Sequence, residues 1–408
     1  MSAPVVVIGA ELDGLLAALR LRELGHPVVL AARSAGSLHY AAGGVHVLGS
    51  VANGNGRHAV ATPMTDMAQL DARHPYALAG SERARSAIDW ASAMLARCSI
   101  PANAQGRNAT AVTPAGLTQP IFMPAENQAT FEKIAGHRVA VVQFEGHRDL
   151  PAGLLLSALR DAGIHVQPVT VPPPSTNCDN LGIARGFDRQ VDLLSWFASI
   201  AAQMPAGTEV ALFPAVLGLE RHAEIVAAAS AALGVMVLEV PTLPPSVPGM
   251  RWAHRLENEL TSSGCIFRRG VRIVAGDRDG DRIRAVIDEN GRRIETAAVI
   301  LATGGVLMGG LDVEADGSIH ETALGLEVTQ ANPLAAGSPT AMLTALHAAG
   351  IETDSSLRPS RNGAATLRNL FVTGRSLAHW HPAEEVSAEG VSIVTGWLAA
   401  GAAHEGMR

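Results

Sequence analysis

The chain has 408 residues, enough for two or three domains around a large buried core. Hydrophobic residues make up 48% of it, which excludes bulk disorder; aromatics make up only 4%, so the core must be built mainly from Ala, Val and Leu. A net charge of −7 argues against nucleic acid as the main partner, because phosphate backbones demand clustered Lys and Arg.

In chain order the elements predict an α/β protein. Residues 4–8 are dominated by a β-branched run, the mark of a buried parallel strand, and Gly9 ends it. Residues 12–24 have helical apolar spacing, with Gly25 where a helix stop belongs, and 28–30 form a second strand. This is a βαβ unit of roughly 30 residues, the opening of a nucleotide-binding fold. Residues 60–135 read as irregular. From Arg138 a second α/β pattern begins, with strands at 139–142, 166–171, 209–213 and 235–240 and helices at 154–162 and 221–232. The Pro-rich stretch 171–175 reads as a boundary or hinge. After Arg251 the first pattern resumes with a helix at 252–262, a strand-like stretch at 265–275 and a hairpin turning at Asn290-Gly291. A strand at 299–302 then leads into Thr303-Gly304-Gly305, and a last strand at 370–373 leads into Gly374 and a C-terminal helix. The expected architecture is a discontinuous FAD/NAD(P)-binding Rossmann domain, residues 1–60 and 251–408, with a second α/β domain inserted at 61–250.

Cys98, Cys178 and Cys265 lie far apart with no CxxC pair, so no iron–sulfur or structural zinc site is expected, and the sparse count fits a reducing cytoplasm. The N-terminus shows no basic segment followed by a long apolar run, and no charge-free apolar window reaches about 18 residues. Neither a signal peptide nor direct membrane insertion is expected. His379-Trp380-His381 with Glu384 and Glu385 lacks a fixed ligand spacing and reads as a polar loop, so no metal site is expected.

The first glycine of a dinucleotide motif permits the tight turn, the second lets backbone approach the pyrophosphate, and the third lets the helix pack on the strand. Here Gly9 and Gly14 fill the first and third places, but the second holds Glu11. At about 4 Å and an effective dielectric near 20, each like-charge contact with a phosphate costs on the order of 4 kcal/mol. Two readings stay open: a weakened cofactor site, or a Rossmann domain that keeps its shape without this ligand contact. Arg33 stands where an acidic residue usually receives the ribose, and either meets a phosphate or is solvated. His39 with Gly43 and Gly44 reads either as a loop lying flat against a planar ring or as a packed glycine turn. Thr303 and Gly304 close the nucleotide domain, and Arg375 follows Gly374 where an acidic residue usually binds a flavin ribityl chain. Pro244–Gly249 reads as a rigid loop with Arg251 available to an anionic substrate, or as a structural proline turn.

Several blocks, in order and spanning nearly the whole chain, carry a family resemblance. Residues 37–40 (SLHY), 74–78 (HPYAL), 213–215 (FPA), 241–249 (PTLPPSVPG), 324–326 (LGL) and 353–360 (TDSSLRPS) resemble the family of B subunits of anaerobic glycerol-3-phosphate dehydrogenase. The resemblance implies a flavin-linked subunit (FAD or FMN) working with an FAD-containing catalytic subunit and an iron–sulfur membrane-anchoring subunit. It implies oxidation of sn-glycerol 3-phosphate to dihydroxyacetone phosphate, with electrons passed to quinone, at the cytoplasmic side of the inner membrane. A non-catalytic assembly subunit and a flavin oxidoreductase for another small substrate stand as alternatives. The expected cofactor residues are Gly9, Gly14, Arg33, His39, Gly43, Gly44, Thr303, Gly304, Gly374 and Gly390, and the candidate catalytic residues are His39, Arg251 and Arg358. The family usually has glycine where this chain has Glu11, and a glycine-rich run where it has Ser387-Ala388-Glu389-Gly390, so both acids weaken the expected flavin site.

Overall fold

A computed structural model describes residues 3–53, 56–98, 100 and 106–408. The chain runs β1 (Val5–Ile8), α1 (Leu12–Glu23), β2 (Val28–Ala32) and α2 (Ser81–Arg97). It continues β3 (Arg138–Phe144), α3 (Ala152–Asp161), β4 (His165–Val171), α4 (Asn180–Arg189), α5 (Leu193–Ala201), β5 (Val210–Pro214), α6 (His222–Leu233) and β6 (Met236–Val240). Then come α7 (Val247–Ser262), β7 (Ile266–Arg269), β8 (Ile273–Asp279), β9 (Arg282–Asp288), β10 (Arg293–Glu295), β11 (Ala298–Leu301), β12 (Leu370–Val372) and α8 (Ala388–Gly406). Two compact units result: residues 1–37, 46–99 and 255–408, and residues 38–45 with 100–254.

The first unit is built on a five-stranded parallel sheet of order β7-β2-β1-β11-β12. Every residue of β1 is buried, as its β-branched run requires when both faces of a sheet are covered. In α1, Leu12, Leu15, Leu16 and Leu19 are buried, and each such side chain contributes about 1.5–3 kcal/mol. The helix ends where Gly25, at φ +85°, donates to the Arg22 carbonyl and His26 donates to the Leu21 carbonyl, satisfying two orphan acceptors. A Cβ on Gly396 of α8 would lie 2.5 Å from the Asp13 carbonyl oxygen, so α1 and α8 meet at backbone distance.

Two stretches differ from the sequence expectation. Residues 61–99 belong to the first unit, because α2 buries Ala84, Ala87, Ile88, Ala91, Met94 and Leu95 and packs on α8. The stretch 265–275 is two strands, since Gly270 at φ +69° turns the chain out of the parallel sheet into the antiparallel sheet β8-β9-β10. The Asn290-Gly291 hairpin joins β9 to β10.

The second unit has a four-stranded parallel sheet of order β6-β5-β3-β4. The scarce aromatics gather on one of its faces, where Phe144, Phe187, Phe197 and Phe213 pack with Trp196. Its other face is covered by the aliphatic side chains of α3, among them Leu155 and Leu159.

Candidate cofactor and active site

In the first unit β1 lies between β2, reached through α1, and β11, which arrives from far along the chain, so the strand order reverses at β1. Open parallel sheets bind ligands at the carboxyl ends of strands beside such a reversal. The loop after β1 turns at Gly9, φ +110°, where a Cβ would run into the Ala302 carbonyl oxygen. Gly14 has the packing role expected of the third glycine: its Cβ would lie 2.5 Å from the Gly9 oxygen and 2.9 Å from the Ala302 Cβ. A shallow cleft opens here, lined by Gly9, Glu11, Arg33, Arg272 and Thr303 among others. Thr303 Oγ1 is buried and, among the described residues, has no hydrogen-bond partner. An orphaned hydroxyl, two exposed arginines and the N-terminus of a 12-residue helix fit the phosphates and sugar of a dinucleotide.

Glu11 is only 5% exposed and stands at the N-cap of α1. Its carboxyl accepts from the Ser37 amide at 2.9 Å and from the Ser37 hydroxyl. Burial pushes this carboxyl up, against the Ser37 bonds and the Arg375 charge, which lower it. Burial thus shifts the balance toward the protonated form, and only that form does not repel a phosphate. The like-charge cost foreseen from the sequence therefore belongs to the ionised form alone.

Behind it, Asp13 is fully enclosed and accepts from the Thr373 hydroxyl at 2.5 Å. Burial pushes its carboxyl up to about 7; the Thr373 bond offsets this in part and the Glu11 charge adds to it. Gly374, at φ +56°, is demanded here, since a Cβ would lie 2.6 Å from the Asp13 carboxyl. Arg375 is half-buried and makes no hydrogen bond among the described residues, while its charge reaches Glu11, Asp13 and Glu389.

At the start of α8, Glu389 Oε2 lies 2.9 Å from His46 Nδ1 and 3.3 Å from the His46 amide. The Gly390 amide donates to the His46 carbonyl at 2.9 Å. Gly390 is glycine because a Cβ would overlap the Tyr76 hydroxyl, which itself donates to the Val47 carbonyl at 2.5 Å.

The expected site residues thus fall in both units. Gly9, Gly14, Arg33, Thr303, Gly304, Gly374 and Gly390 belong to the first, and His39, Gly43 and Gly44 to the second. A Cβ on Gly43 would lie 2.6 Å from the Pro248 Cβ, and one on Gly44 would lie 2.6 Å from Gln128 Oε1, so both glycines serve packing within their own unit. The His39 carbonyl accepts from the Ser246 amide at 2.7 Å. Arg251 is not available to an anion, contrary to expectation. It is 7% exposed, forks onto both Glu239 oxygens at 2.8 and 3.0 Å, and donates through Nε to the Gly218 carbonyl at 2.7 Å. Arg358 is half-buried and paired with Asp354 at 2.7 Å. His379 binds Glu352 and His381 caps the short helix Pro382–Glu385. Sequence reasoning missed His46, Asp13 and Arg272; the run Gly43-Gly44-Val45-His46 was the one available signal for His46.

A family model described as an FAD binding domain matches residues 4–391. The probable B subunit of the anaerobic glycerol-3-phosphate dehydrogenase of Halobacterium salinarum is 30% identical, over 99% of this chain and 98% of its own. The B subunit of the anaerobic glycerol-3-phosphate dehydrogenase of Yersinia enterocolitica is 28% identical, over 97% of this chain and 96% of its own. An open-conformation flavocytochrome c3 fumarate reductase aligns at TM-score 0.47 and 10% identity, covering 99% of this chain and 78% of that one.

Proposed function

Since this chain belongs to the FAD binding domain family and to the family of anaerobic glycerol-3-phosphate dehydrogenase B subunits, we propose that it is a flavin-linked subunit in the oxidation of sn-glycerol 3-phosphate to dihydroxyacetone phosphate. In this reading electrons pass to quinone through partners, an FAD-containing catalytic subunit and an iron–sulfur subunit that anchors the assembly at the membrane. No helix among the described residues is long and apolar enough to cross a membrane, which fits attachment through a partner. The observation that carries the reading is the collinear match over nearly the full chain. The cleft at the strand-order reversal supports it.

A flavin bound there supplies a two-electron acceptor for a substrate hydride. The chain's own residues do the holding. Gly9 and the first turn of α1 leave room for a pyrophosphate, with the Glu11 carboxyl beside it held by Ser37. Thr303 Oγ1 takes a sugar or phosphate oxygen, and Arg33 and Arg272 set positive charge at the rim. Gly304 and Gly374 keep the neighbouring loops close to the strand ends.

The absorption spectrum of the purified chain tests the reading. A yellow protein whose released chromophore is FAD or FMN, bleached by sn-glycerol 3-phosphate, supports it. A second reading, an assembly subunit without flavin, is favoured by one feature: Glu11 already fills the anion position and is latched to Ser37. A colourless chain that still assembles with its partners establishes the second reading against the first.

A further inference from the structure

We propose that Arg375 and His347 form a subsite for the phosphate of a small phosphorylated ligand, in a pocket that adjoins the cofactor cleft. The inference rests on the substrate reading above for the identity of the ligand and assigns the residues that hold its anionic end.

The pocket lies wholly within the first unit, between the short turn Val306–Met308, the helix Pro339–Ala348 and the stretch that runs from Arg375 to Pro382. Met308 lines both this pocket and the cleft, so the two adjoin. Val306, Leu343, Leu346 and Trp380 make its walls apolar, and Arg375 and His347 are the titratable side chains that line it. The Trp380 ring is fixed, since its Nε1 donates to the Leu377 carbonyl at 3.0 Å.

The turn that carries Arg375 is tied to the loop after β11. Ser376 Oγ donates to the Gly304 carbonyl at 3.0 Å, and a Cβ on Gly305 would lie 3.2 Å from the Arg375 carbonyl oxygen. The backbone is thus anchored, while the guanidinium makes no hydrogen bond among the described residues and its fork of donors is left open. The acids within reach of its charge are Glu11, Asp13 and Glu389. Burial raises Glu11, and it raises Asp13 to about 7, so these two offset less of the Arg375 charge than exposed carboxylates do. Glu389 is engaged by His46. The His347 ring makes no hydrogen bond among the described residues, and its centroid lies 5.0 Å from that of His381. Burial pushes His347 below its ordinary value; the charges of His381 and Arg375 add to this and that of Glu384 opposes it. At neutral pH it is a neutral imidazole with one N–H to donate. His381 is committed elsewhere, its Nδ1 accepting from the Glu384 amide at 3.1 Å.

A forked cation and a neutral N–H donor suit a compact oxyanion, and Arg matches the geometry of phosphate with two parallel bonds. Apolar walls strengthen that contact, because the attraction between charges grows as the local dielectric falls. Because the pocket adjoins the cleft, an anion held here keeps the rest of a three-carbon ligand beside the cofactor site.

The full chain purified from native cells, with the partners that accompany it, serves for the test. Calorimetry measures the binding of dihydroxyacetone phosphate and of inorganic phosphate, without turnover, to the wild type and to Arg375→Ala, Arg375→Lys, His347→Ala and Leu343→Glu. Leu343 is 52% exposed, so Leu343→Glu sets a carboxylate at the pocket without disturbing the core. Arg375→Ala weakens both ligands at least about tenfold at unchanged flavin content, and Arg375→Lys, a point charge without the fork, recovers part of the loss. His347→Ala weakens both about threefold, and Leu343→Glu weakens both about tenfold. With sn-glycerol 3-phosphate as substrate the losses fall on KM, with kcat within about threefold of the wild type. A wild type that binds the ligands no better than Arg375→Ala and Leu343→Glu overturns the proposal and leaves the substrate reading standing. Loss of flavin from Arg375→Ala, with ligand affinity unchanged once flavin is restored, also overturns it and makes Arg375 a cofactor residue. A wild type that binds inorganic phosphate through Arg375, yet neither binds dihydroxyacetone phosphate nor oxidises sn-glycerol 3-phosphate, upholds the anion subsite and overturns the substrate reading.

Discussion

A carboxyl at the tip of a phosphate-binding helix reverses its influence when it loses its proton. As the neutral acid, Glu11 can donate to a phosphate oxygen; ionised, it opposes the phosphate and weakens the pull of the helix N-terminus. Because burial raises the Glu11 pKa, FAD affinity of the wild type should fall as pH rises through that raised value. Glu11→Gly should bind FAD at least about tenfold more tightly than the wild type where Glu11 is ionised, and Glu11→Gln should bind with no such pH dependence. Fluorescence titrations of FAD across a range of pH measure both; equal affinities for all three proteins at every pH would show that Glu11 is no obstacle. Asp13 poses the same question for stability. Its folded pKa, about 7, lies above the ordinary 3.8, so the native state is most favoured where Asp13 is protonated. Stability declines from about pH 4 upward and the loss is complete above about pH 7, amounting at most to on the order of 4 kcal/mol. Asp13→Asn keeps an acceptor for Thr373 and should melt above the wild type at alkaline pH, with the gap closing toward pH 4. A gap independent of pH would contradict the assignment.

Between elements, Glu239 of β6 and Arg251 of α7 form a buried bidentate pair in the second unit. Burial pushes Glu239 up, yet the charges of Arg251 and His222 bring it down to about 2. Its stabilising effect is therefore present above the ordinary carboxylate value of 4.5 and is lost only as pH falls through about 2. Arg251→Met strands a buried charge and should destabilise the chain by roughly 3–5 kcal/mol in urea unfolding; adding Glu239→Gln should recover much of that loss. Unfolding midpoints unmoved by Arg251→Met would return Arg251 to the candidates for substrate binding. The sequence could not reveal this tie, because Pro244–Gly249 beside Arg251 carries a strong local signal and Glu239 lies inside a strand-like run. What was legible followed from local rules. β1, α1 and β2 announce themselves through β-branched residues, leucine spacing and Gly25. The alanine-rich buried face of α2 gave too weak a period to separate it from a turn-rich stretch. Gly43 and Gly44 were legible as positions that exclude a side chain, but the neighbours that exclude it are Pro248 and Gln128. His46 and Glu389 are 343 residues apart, beyond the reach of spacing arguments.

For the molecule as a whole, the curated relatives it matches over nearly their full length are named as one subunit of an enzyme, so the proposed function calls for a second protein. A tagged chain from native cells should elute by size exclusion in a hetero-oligomer, with an interface above roughly 1,000 Å² in total. Elution alone, with unaided oxidation of sn-glycerol 3-phosphate, would make it an enzyme in its own right.

The parallel sheet of the first unit also has a history written into its order. β1 is translated first, yet its second neighbour, β11, begins at residue 298, and β12 is joined only at 370. On the ribosome β1 and β2 emerge with both outer edges open, that of β2 until β7 at residue 266 and that of β1 until β11 at residue 298. The second unit, apart from the strip 38–45, is a single run ending at residue 254, so all four of its sheet strands are available before β11 exists. The inserted unit can therefore fold during synthesis, while the nucleotide-binding unit must be completed late, with its two exposed strand edges in the meantime natural clients for a chaperone.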